Sequence, residues 1–389
     1  MNKPLFASAV ISLAVALNSP VSLASPTIIP SPPSLSAKGY VLMDYNTGEV
    51  LVEKNADIRL NPASLTKLMT AYVAGQEMSS GNISKDDVVV VSRNAWAKNF
   101  PDSSKMFIEV GTKVSMNDLY RGLIVQSGND ASVAIAEHVA GSEKAFVGLM
   151  NSWANKLDLD KTSYTNPHGL DSRGLYSTPR DIAKLGQAII RDLPDIYPLY
   201  SETEFTYNGI TQYNRNGLLR DRSLNVDGMK TGYTSGAGYN LATSATNGDM
   251  RLISVVMGSN SAKSREMESK QLLSFGFRFY ETVQPSEAGE EIAIARVWMG
   301  NKDKVPVGLD QQVYITLPKS EANKLNASIE YNSDISAPIH KGDVLGKVVY
   351  KVEDKEVKSA NLVALNNVEE GSWFKRLTDW FKKWISTWF

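Results

Sequence analysis

The chain has 389 residues, 42% of them hydrophobic, which is enough for a large buried core and suggests two folded domains rather than a disordered or fibrous protein. Its 41 basic and 42 acidic residues give a formal net charge of -1, so it lacks the overall basic charge expected of a nucleic-acid-binding protein. Because there is no cysteine, disulfides, thiolate metal sites and a cysteine nucleophile are excluded.

The N-terminus predicts a secretory signal peptide. After Lys3 comes a mostly apolar run, Leu5 to Leu17, and small residues then precede a cleavage site after Ala24. The run is shorter than the roughly 20 apolar residues that a membrane span needs, and it is followed by polar and proline residues. We therefore assign residues 1–24 to a signal peptide and the proline-rich residues 25–36 to a linker, which implies export.

Residues 37–283 predict an α+β domain. The stretch YVLMDYNTGEVLVEKN alternates around a turn and predicts a β-hairpin, and helical periodicity then dominates from Asn61 to about residue 200. Three strand patterns follow, MKTGYT, GYNLATSATNGD and MRLISVVMGS, and a helix closes the series at SREMESKQLLSFGFRFYET. Because short turns join neighbouring strands, we predict an antiparallel sheet flanked by helices, with a helical insertion.

Residues 284–368 predict a small all-β second domain. Short alternating segments recur here between turns, among them EIAIARVWMG, QQVYITLP and GKVVYKVEDKEV. The region contains no constellation of chemical groups that suggests a site. It is interpreted as a spacer or binding module that holds the first domain away from the C-terminus.

Residues 369–389 predict an amphipathic membrane-anchoring helix. A stripe at helical spacing holds Trp373, Phe374, Leu377, Trp380, Phe381, Trp384, Ile385, Trp388 and Phe389. The opposite face carries Lys375, Arg376, Lys382 and Lys383 against Asp379. We expect this helix to lie in an anionic membrane interface, since it is too short and too charged to span. The alternative is a terminal helix docked on the protein's own core, but four Trp and three Phe within 17 residues exceed ordinary core usage.

The stretch NPASLTKLMT predicts the start of a helix that carries a reactive serine. Asn61 and Pro62 are typical of a helix start, which puts Ser64 in the first turn, near the positive end of the helix dipole. Lys67 lies one turn further on the same face, where it could take the proton of the serine hydroxyl. A lysine acts as a base only when neutral, so the hypothesis requires burial and a second cation nearby.

Two further triplets complete a possible active site. Ser127-Gly128-Asn129 lies between two apolar segments, and Lys230-Thr231-Gly232 occurs once, on a predicted strand. Taken singly, each is more often a turn, cap or strand segment than a site. The Ser-x-x-Lys pattern, for example, recurs at Ser372 in the tail, where catalysis is implausible.

The order of the three motifs is more specific than any one of them. With gaps of 63 and 103 residues, they resemble the motifs of penicillin-recognising serine acyl-enzymes, which include β-lactamases and penicillin-binding proteins. The signal peptide, the β-rich second domain and the amphipathic tail are similar to those of low-molecular-mass D-alanyl-D-alanine carboxypeptidases. The resemblance covers nearly the whole chain, including HGLD, NRNGLL and VDGMKTGYTSGAGYNL.

This resemblance implies the chemical step. Ser64 would attack the carbonyl between the last two D-alanines of a peptidoglycan stem peptide, forming an acyl-enzyme that water hydrolyses, and penicillin would inhibit by the same route. Lys67 would be the general base. Ser127 would relay the proton to the leaving amine, and Asn129 would hold the substrate amide while fixing the lysine.

The resemblance also implies the substrate contacts. Lys230 would recognise the terminal carboxylate region and act as the second cation, and Thr231 would hydrogen-bond the carboxylate. Gly232 would leave the strand edge open, and the backbone N–H groups of Ser64 and Tyr233 would receive the oxyanion. Further candidates near the substrate or supporting the site are Arg265, Arg215 and His168. No cofactor is implied, and three histidines offer no metal cluster.

Two departures from the pattern stand out. Tyr233 occupies a position where the closest relatives often carry histidine, and the loop NFPDSSKMF is a few residues shorter than in similar enzymes. The alternatives that stay open are a weak β-lactamase, a penicillin-binding module with slow turnover, and an endopeptidase that cuts cross-links.

The expected location is the periplasm, with peripheral attachment to the outer face of the inner membrane.

Overall fold

The computed structural model describes residues 29–386. The predicted signal peptide, residues 1–24, lies outside the described residues, as do the aromatic residues Trp388 and Phe389 of the tail. The strands of the first domain are β1 (Gly39–Asp44), β2 (Val50–Lys54), β3 (Val88–Val90), β4 (Lys113–Ser115), β5 (Glu204–Tyr207), β6 (Ile210–Tyr213), β7 (Asn225–Thr234), β8 (Gly238–Asn247), β9 (Met250–Ser259) and β10 (Tyr280–Val283). Its helices are α1 (Thr66–Ser79), α2 (Met116–Ile124), α3 (Asn129–Ala140), α4 (Glu143–Lys156), α5 (Pro179–Asp192) and α6 (Ala262–Phe279).

The first domain is built on a five-stranded antiparallel sheet with the strand order β2-β1-β9-β8-β7. The turn between β8 and β9 uses Gly248 at a φ of +57°, a left-handed conformation that glycine adopts without strain. The predicted α+β class and the antiparallel series of strands are confirmed. Strand β7 lies at the edge of this sheet, so one row of its backbone groups faces away from the other strands.

Helix α1 is the central helix of the insertion. Every residue from Thr66 to Gly75 is buried, including Leu68, Met69 and Tyr72 of its apolar stripe. It packs against α2, α3, α4 and α5, so its polar side chains are enclosed as well as its apolar ones. The core therefore holds in place both the turn that precedes α1 and the first turn of α1.

The second domain is all-β, as predicted, and has a hydrophobic core of its own. Its elements are β11 (Ala293–Arg296), β12 (Lys304–Leu309), β13 (Ile315–Pro318), the short α7 (Lys319–Ala322), β14 (Leu325–Tyr331), β15 (Val344–Val352) and β16 (Lys355–Ala364). Five of these strands form a sheet in the order β11-β12-β16-β15-β14. The sixth, β13, pairs instead with β10, which directly follows α6.

A buried hydrogen-bond network reinforces this joint between the domains. The fully buried Asp44 accepts hydrogen bonds from Thr47 N at 2.9 Å and from Thr282 Oγ1 at 2.6 Å. The Thr47 hydroxyl also lies 2.9 Å from the hydroxyl of Thr316 on β13. Because a buried carboxylate is costly without partners, these contacts favour one arrangement of the two domains.

The chain ends in helix α8 (Trp373–Ser386). Its large apolar side chains point to solvent: Trp373 is 76% exposed and Phe374 is 70% exposed. The alternative in which this apolar stripe docks on the protein's own core is therefore wrong for the described part of the helix. Within residues 29–386, no helix has the length and apolar character needed to cross a membrane.

Candidate active site

Ser64 and Lys67 lie side by side at the N-terminal end of α1. Ser64 belongs to a 3₁₀ turn, Ala63–Leu65, that leads directly into the helix, and Lys67 is the second residue of α1. The Nζ atom of Lys67 lies 3.3 Å from Ser64 Oγ. The hydroxyl and the amine are thus within reach of a direct proton transfer.

The turn that carries Ser64 is held from both sides. Asn61 Oδ1 accepts a hydrogen bond from Ala63 N at 2.9 Å, but the predicted helix start at Asn61 and Pro62 is wrong, because a 3₁₀ turn follows and the α-helix begins at Thr66. Asn240 on β8 donates to the backbone carbonyls of Asn61 and Pro62 at 3.0 and 3.1 Å. These bonds fix the turn against the sheet, which preorganises the serine.

Burial dominates the chemistry of Lys67, which is 1% exposed. Burial, together with the charge of Arg215, lowers the pKa of Lys67 to about 7, although the charge of Asp130 opposes the shift. Because Arg215 is exposed on the wall of the cleft, we expect its effect to be smaller than that of burial. Near neutral pH a substantial fraction of Lys67 is therefore the neutral amine that a base must be.

Two fixed acceptors orient the amine. Lys67 Nζ donates to Asn129 Oδ1 at 2.6 Å and to the backbone carbonyl of His168 at 2.5 Å. A neutral amine has two N–H donors and one lone pair, so these bonds leave the lone pair for the hydroxyl of Ser64. Asn129 is the first residue of α3, where it is 2% exposed.

Ser127 is held in an unusual state. Its φ is +60°, in the left-handed region that a serine seldom occupies, and its buried Oγ has no hydrogen-bond partner among the described residues. Backbone strain and an unpaired buried hydroxyl each cost about 1–3 kcal/mol. Features of this kind cluster where a substrate supplies the missing partner.

A loop that the sequence analysis noted only for its length forms one wall of the cleft. Ser103 accepts a hydrogen bond from Asn129 Nδ2 at 2.8 Å. The fully buried Asp130 holds this loop by accepting the backbone N–H groups of Met106 and Phe107, both at 2.8 Å. Asp130 was not predicted to belong to the site, although it directly follows the Ser-Gly-Asn triplet, which indicates a position close to the cleft.

Strand β7 brings Lys230, Thr231 and Gly232 to the opposite wall. Lys230 is 4% exposed, and burial together with the charge of Lys67 lowers its pKa well below its usual range. The charge of Lys67 thus disfavours that of Lys230, but the cation that lowers the pKa of Lys67 is Arg215, where the sequence predicted Lys230. Thr231 is buried at the base of the cleft and its side chain lines it.

The structure gives Gly232 a further reason to be glycine. A Cβ atom at this position would lie 2.9 Å from the carbonyl oxygen of Pro62 and 3.1 Å from Ser64 N. The missing side chain therefore allows the serine turn to pack closely on β7, in addition to the open strand edge expected from sequence.

Arg265 reaches the site from α6. It is 5% exposed, and its Nη1 donates to the backbone carbonyl of Gly232 at 3.1 Å, while its guanidinium lies 5.7 Å from the ring of Tyr239. Tyr233 is 54% exposed and stacks on Tyr239 with 4.4 Å between ring centroids. Tyr233, at a position where similar enzymes often carry histidine, is thus one ring of an aromatic pair on the rim of the cleft.

Arg215 and His168 act differently from one another. Arg215 Nη1 donates to Ser104 Oγ at 2.5 Å, so its charge lies on the cleft wall. The contribution of His168 to the site is its backbone carbonyl, since burial and the charge of Lys67 lower the pKa of its imidazole to about 3 and keep the ring neutral. The next residue, Gly169, approaches the carbonyl of Ala63 too closely for any side chain.

Asp171, in the HGLD motif, bridges the two sides of the cleft mouth. Its Oδ1 accepts from Asn61 Nδ2 at 2.5 Å and from Thr234 Oγ1 at 2.7 Å. It therefore links the serine turn to the end of β7. The HGLD motif was noted in the sequence, but this carboxylate was not predicted to be a site residue.

These groups surround an open cleft of about 810 Å³. Its lining includes Ser64, Ser127, Asn129, Arg215, Thr231 and Arg265. The hydroxyl of Ser64, an amine with a lowered pKa and a second hydroxyl meet here beside several cations, an arrangement suited to acyl transfer from a ligand that carries a carboxylate.

Comparisons with known proteins agree with this geometry. Residues 27–261 match the family model described as D-alanyl-D-alanine carboxypeptidase, and residues 280–370 match that of the penicillin-binding protein 5 C-terminal domain. The chain is 50% identical over 367 residues to D-alanyl-D-alanine carboxypeptidase DacA of Escherichia coli K12, covering 93% of this chain and 91% of that protein.

Solved structures show the same similarity. Penicillin binding protein 5 from Haemophilus influenzae superposes with a TM-score of 0.83 at 51% identity, covering 88% of this chain and 100% of that one. Penicillin binding protein 6B from Escherichia coli gives a TM-score of 0.75 at 44% identity, covering 87% of this chain and 98% of that one.

The pKa of Lys67 predicts the pH dependence of acylation. With the neutral amine of Lys67 as the predicted base, the rate at which penicillin acylates Ser64 should rise with pH through about 7. In Arg215→Gln the loss of a nearby cation should raise the pKa of Lys67 and move the midpoint upward by up to about one pH unit. Stopped-flow acylation across pH measures this, with the exposed Arg222→Gln as control. An unchanged or lowered midpoint in Arg215→Gln would contradict the assignment.

Gly232→Ala should separate the serine turn from β7. The added Cβ meets backbone atoms that cannot rotate away, and a displacement of about 1 Å at a reacting centre costs about a hundredfold in rate. Acylation kinetics measure the loss. Gly148→Ala, on α4 where a Cβ meets nothing within 4 Å, is the matched control and should leave the rate unchanged. Equal rates for both variants would refute the close-packing argument.

Proposed function

This chain belongs to the D-alanyl-D-alanine carboxypeptidase family, and we propose that Ser64 is the nucleophile with which it acts. The protein is a serine-type D-alanyl-D-alanine carboxypeptidase that removes the terminal D-alanine of peptidoglycan stem peptides during cell-wall maturation and binds penicillin. The observation that carries the assignment of Ser64 is the contact between its hydroxyl and a buried lysine whose pKa is about 7.

Acylation begins with proton transfer from Ser64 Oγ to the neutral amine of Lys67. The oxygen attacks the carbonyl carbon of the penultimate D-alanine, and the backbone N–H groups of Ser64 and Tyr233 donate hydrogen bonds to the oxyanion of the tetrahedral intermediate. Because Asn129 and the carbonyl of His168 already orient Lys67, little reorganisation accompanies this step.

Collapse of the intermediate breaks the peptide bond. The proton now on Lys67 passes through the hydroxyl of Ser127 to the leaving nitrogen, and D-alanine departs with a neutral amine. The unpaired Oγ of Ser127 is free to rotate into this relay. A water molecule then loses a proton to Lys67 and attacks the acyl carbon. As this intermediate collapses, Lys67 returns the proton to Ser64 Oγ and the shortened peptide leaves as its carboxylic acid.

Substrate recognition uses the cations and the edge of β7. The terminal carboxylate lies near Arg265, with Lys230 and Thr231 completing its contacts, and the position of Arg265 and Thr231 in the lining of the cleft supports this. The peptide pairs with the open edge of β7 as an added strand. Asn129 holds an amide of the stem peptide while it fixes Lys67.

The protein is exported by residues 1–24 and attached peripherally to a membrane by α8. The exposed apolar face of α8 supports attachment, because a patch of large apolar side chains on a soluble domain marks an interaction surface. We assign it to the periplasm, on the outer face of the inner membrane, with residues 37–283 as the catalytic unit.

Release of D-alanine tests the function. A peptide ending in D-Ala-D-Ala should be hydrolysed by the wild-type chain, and Ser64→Ala should reduce the rate by more than about a thousandfold. Intact mass after penicillin treatment should show one adduct in the wild type and none in Ser64→Ala. Ser372→Ala, which alters the second Ser-x-x-Lys pattern, is the control and should behave as wild type. A stable adduct without any D-alanine release would instead favour a penicillin-binding module with slow turnover.

Deletion of residues 371–389 tests attachment. The variant should leave the membrane fraction because it lacks the apolar helix, while its activity on a soluble peptide stays that of the full chain. Membrane sedimentation followed by a D-alanine release assay measures both. If the shortened chain still sediments with membranes, α8 is not the anchor.

A further inference from the structure

The polar side of α8 faces the all-β domain. The segment leading into the helix is tied to that domain by backbone hydrogen bonds: Gly371 N donates to Met299 O and Asn301 N donates to Glu369 O, both at 2.8 Å. The helix therefore starts from a fixed position and not from a free linker.

Asp379 is the central contact. It is 3% exposed, although it lies on a helix whose neighbouring residues are mostly exposed. Its Oδ2 accepts a hydrogen bond from Met299 N at 3.0 Å and from Lys375 Nζ at 2.7 Å. A buried carboxylate is costly unless it is paired and hydrogen-bonded, and here the domain surface supplies the backbone donor.

The basic side chains of the helix are engaged by carboxylates. Lys375 pairs with Asp303 of the all-β domain as well as with Asp379. Lys383 pairs with Asp334 of the same domain. Arg376 pairs at 2.6 Å with Glu370, which immediately precedes the helix. Three of the four cations expected from sequence to face anionic lipid are thus neutralised within the protein.

The apolar side of the helix faces away from this contact. Its exposed side chains are Trp373, Phe374, Leu377, Trp380, Phe381, Trp384 and Ile385. An apolar stripe of this kind, rich in Trp and Phe, matches the boundary between lipid headgroups and acyl chains. With most of the cations paired, burial of this stripe is the main source of affinity for a bilayer.

We propose that α8 is clamped to the all-β domain through Asp379, and that it recognises the bilayer by its apolar face, with little contribution from lipid charge. This inference rests on the proposed membrane attachment and specifies its chemistry: the occupant is a lipid interface, zwitterionic or anionic. Because β10 pairs with β13 and Asp44 reinforces that joint, a clamped helix also fixes the catalytic cleft relative to the membrane.

Vesicle binding tests the lipid class. The full chain is titrated with vesicles of phosphatidylcholine alone and of phosphatidylcholine mixed with phosphatidylglycerol, at low and high salt. We expect the two affinities to agree within about fivefold, which is the contribution of one unpaired basic residue near an anionic surface. Binding that requires phosphatidylglycerol and is lost at high salt would overturn the inference and leave membrane attachment intact. Absence of binding to either vesicle would overturn the attachment itself, as would self-association that covers the apolar face.

Asp379→Ala tests the clamp. Loss of the carboxylate removes one negative charge from the helix and leaves Asp303 as the partner of Lys375, so the preference for phosphatidylglycerol vesicles should rise by about fivefold over that of the wild type. Lys382→Ala, at an exposed position on the same helix, is the matched control and should show no gain. Unchanged release of D-alanine from a soluble peptide shows that either variant is folded. A variant Asp379→Ala that binds both vesicles as the wild type does would refute the role of Asp379.

A chemical lock provides a second, independent test. Since the chain has no cysteine, the pair Asp303→Cys and Lys375→Cys can be joined selectively by a short bismaleimide. The locked protein should bind vesicles as well as the same variant before cross-linking, because the bound helix stays on the domain. Loss of binding on cross-linking would show that the helix must detach, which contradicts the inference.

Discussion

The burial of Lys67 is the constraint on which the rest of the structure depends. An amine enclosed on all sides by the first domain loses the hydration that would keep it charged, and its pKa falls to about 7. The same enclosure removes its freedom of movement, because Asn129 and the carbonyl of His168 hold it against Ser64. The central position of α1 therefore determines both the protonation state and the geometry of Lys67, the proposed base.

The remaining walls of the cleft are arranged around this amine by groups distant in the chain. Asp130 organises the loop that contacts Asn129, and Asp171 ties the serine turn to β7. Gly232 and Gly169 allow close backbone approach on two sides of the same turn. The site is thus a convergence of four segments, each of which limits the movement of the others.

The features that could be predicted from the sequence are those that residues close together in the chain determine. Alternation and turn residues were sufficient for the antiparallel sheet and the all-β domain, and helical spacing was sufficient to place Ser64 and Lys67 on one face. Contacts made by backbone atoms carry no side-chain signature, which explains why the carbonyl of His168 could not be foreseen. The effect of Arg215 on Lys67 depends on long-range folding, and the pairing of the α8 cations depends on Asp303 and Asp334, which lie far away in sequence.

The edge position of β7 has a consequence for selectivity among polymers. An unpaired strand edge can form backbone hydrogen bonds with any extended chain, including one from a neighbouring protein. Most proteins protect such edges from this pairing. Here the reactive part of the edge is recessed, since Lys230, Thr231 and Gly232 are buried between the serine turn and the wall that carries Arg215. An extended chain that pairs with this part of the edge must therefore enter the cleft to reach it. The burial of these residues shields the edge from neighbouring proteins while it remains open to a chain that fits the cleft.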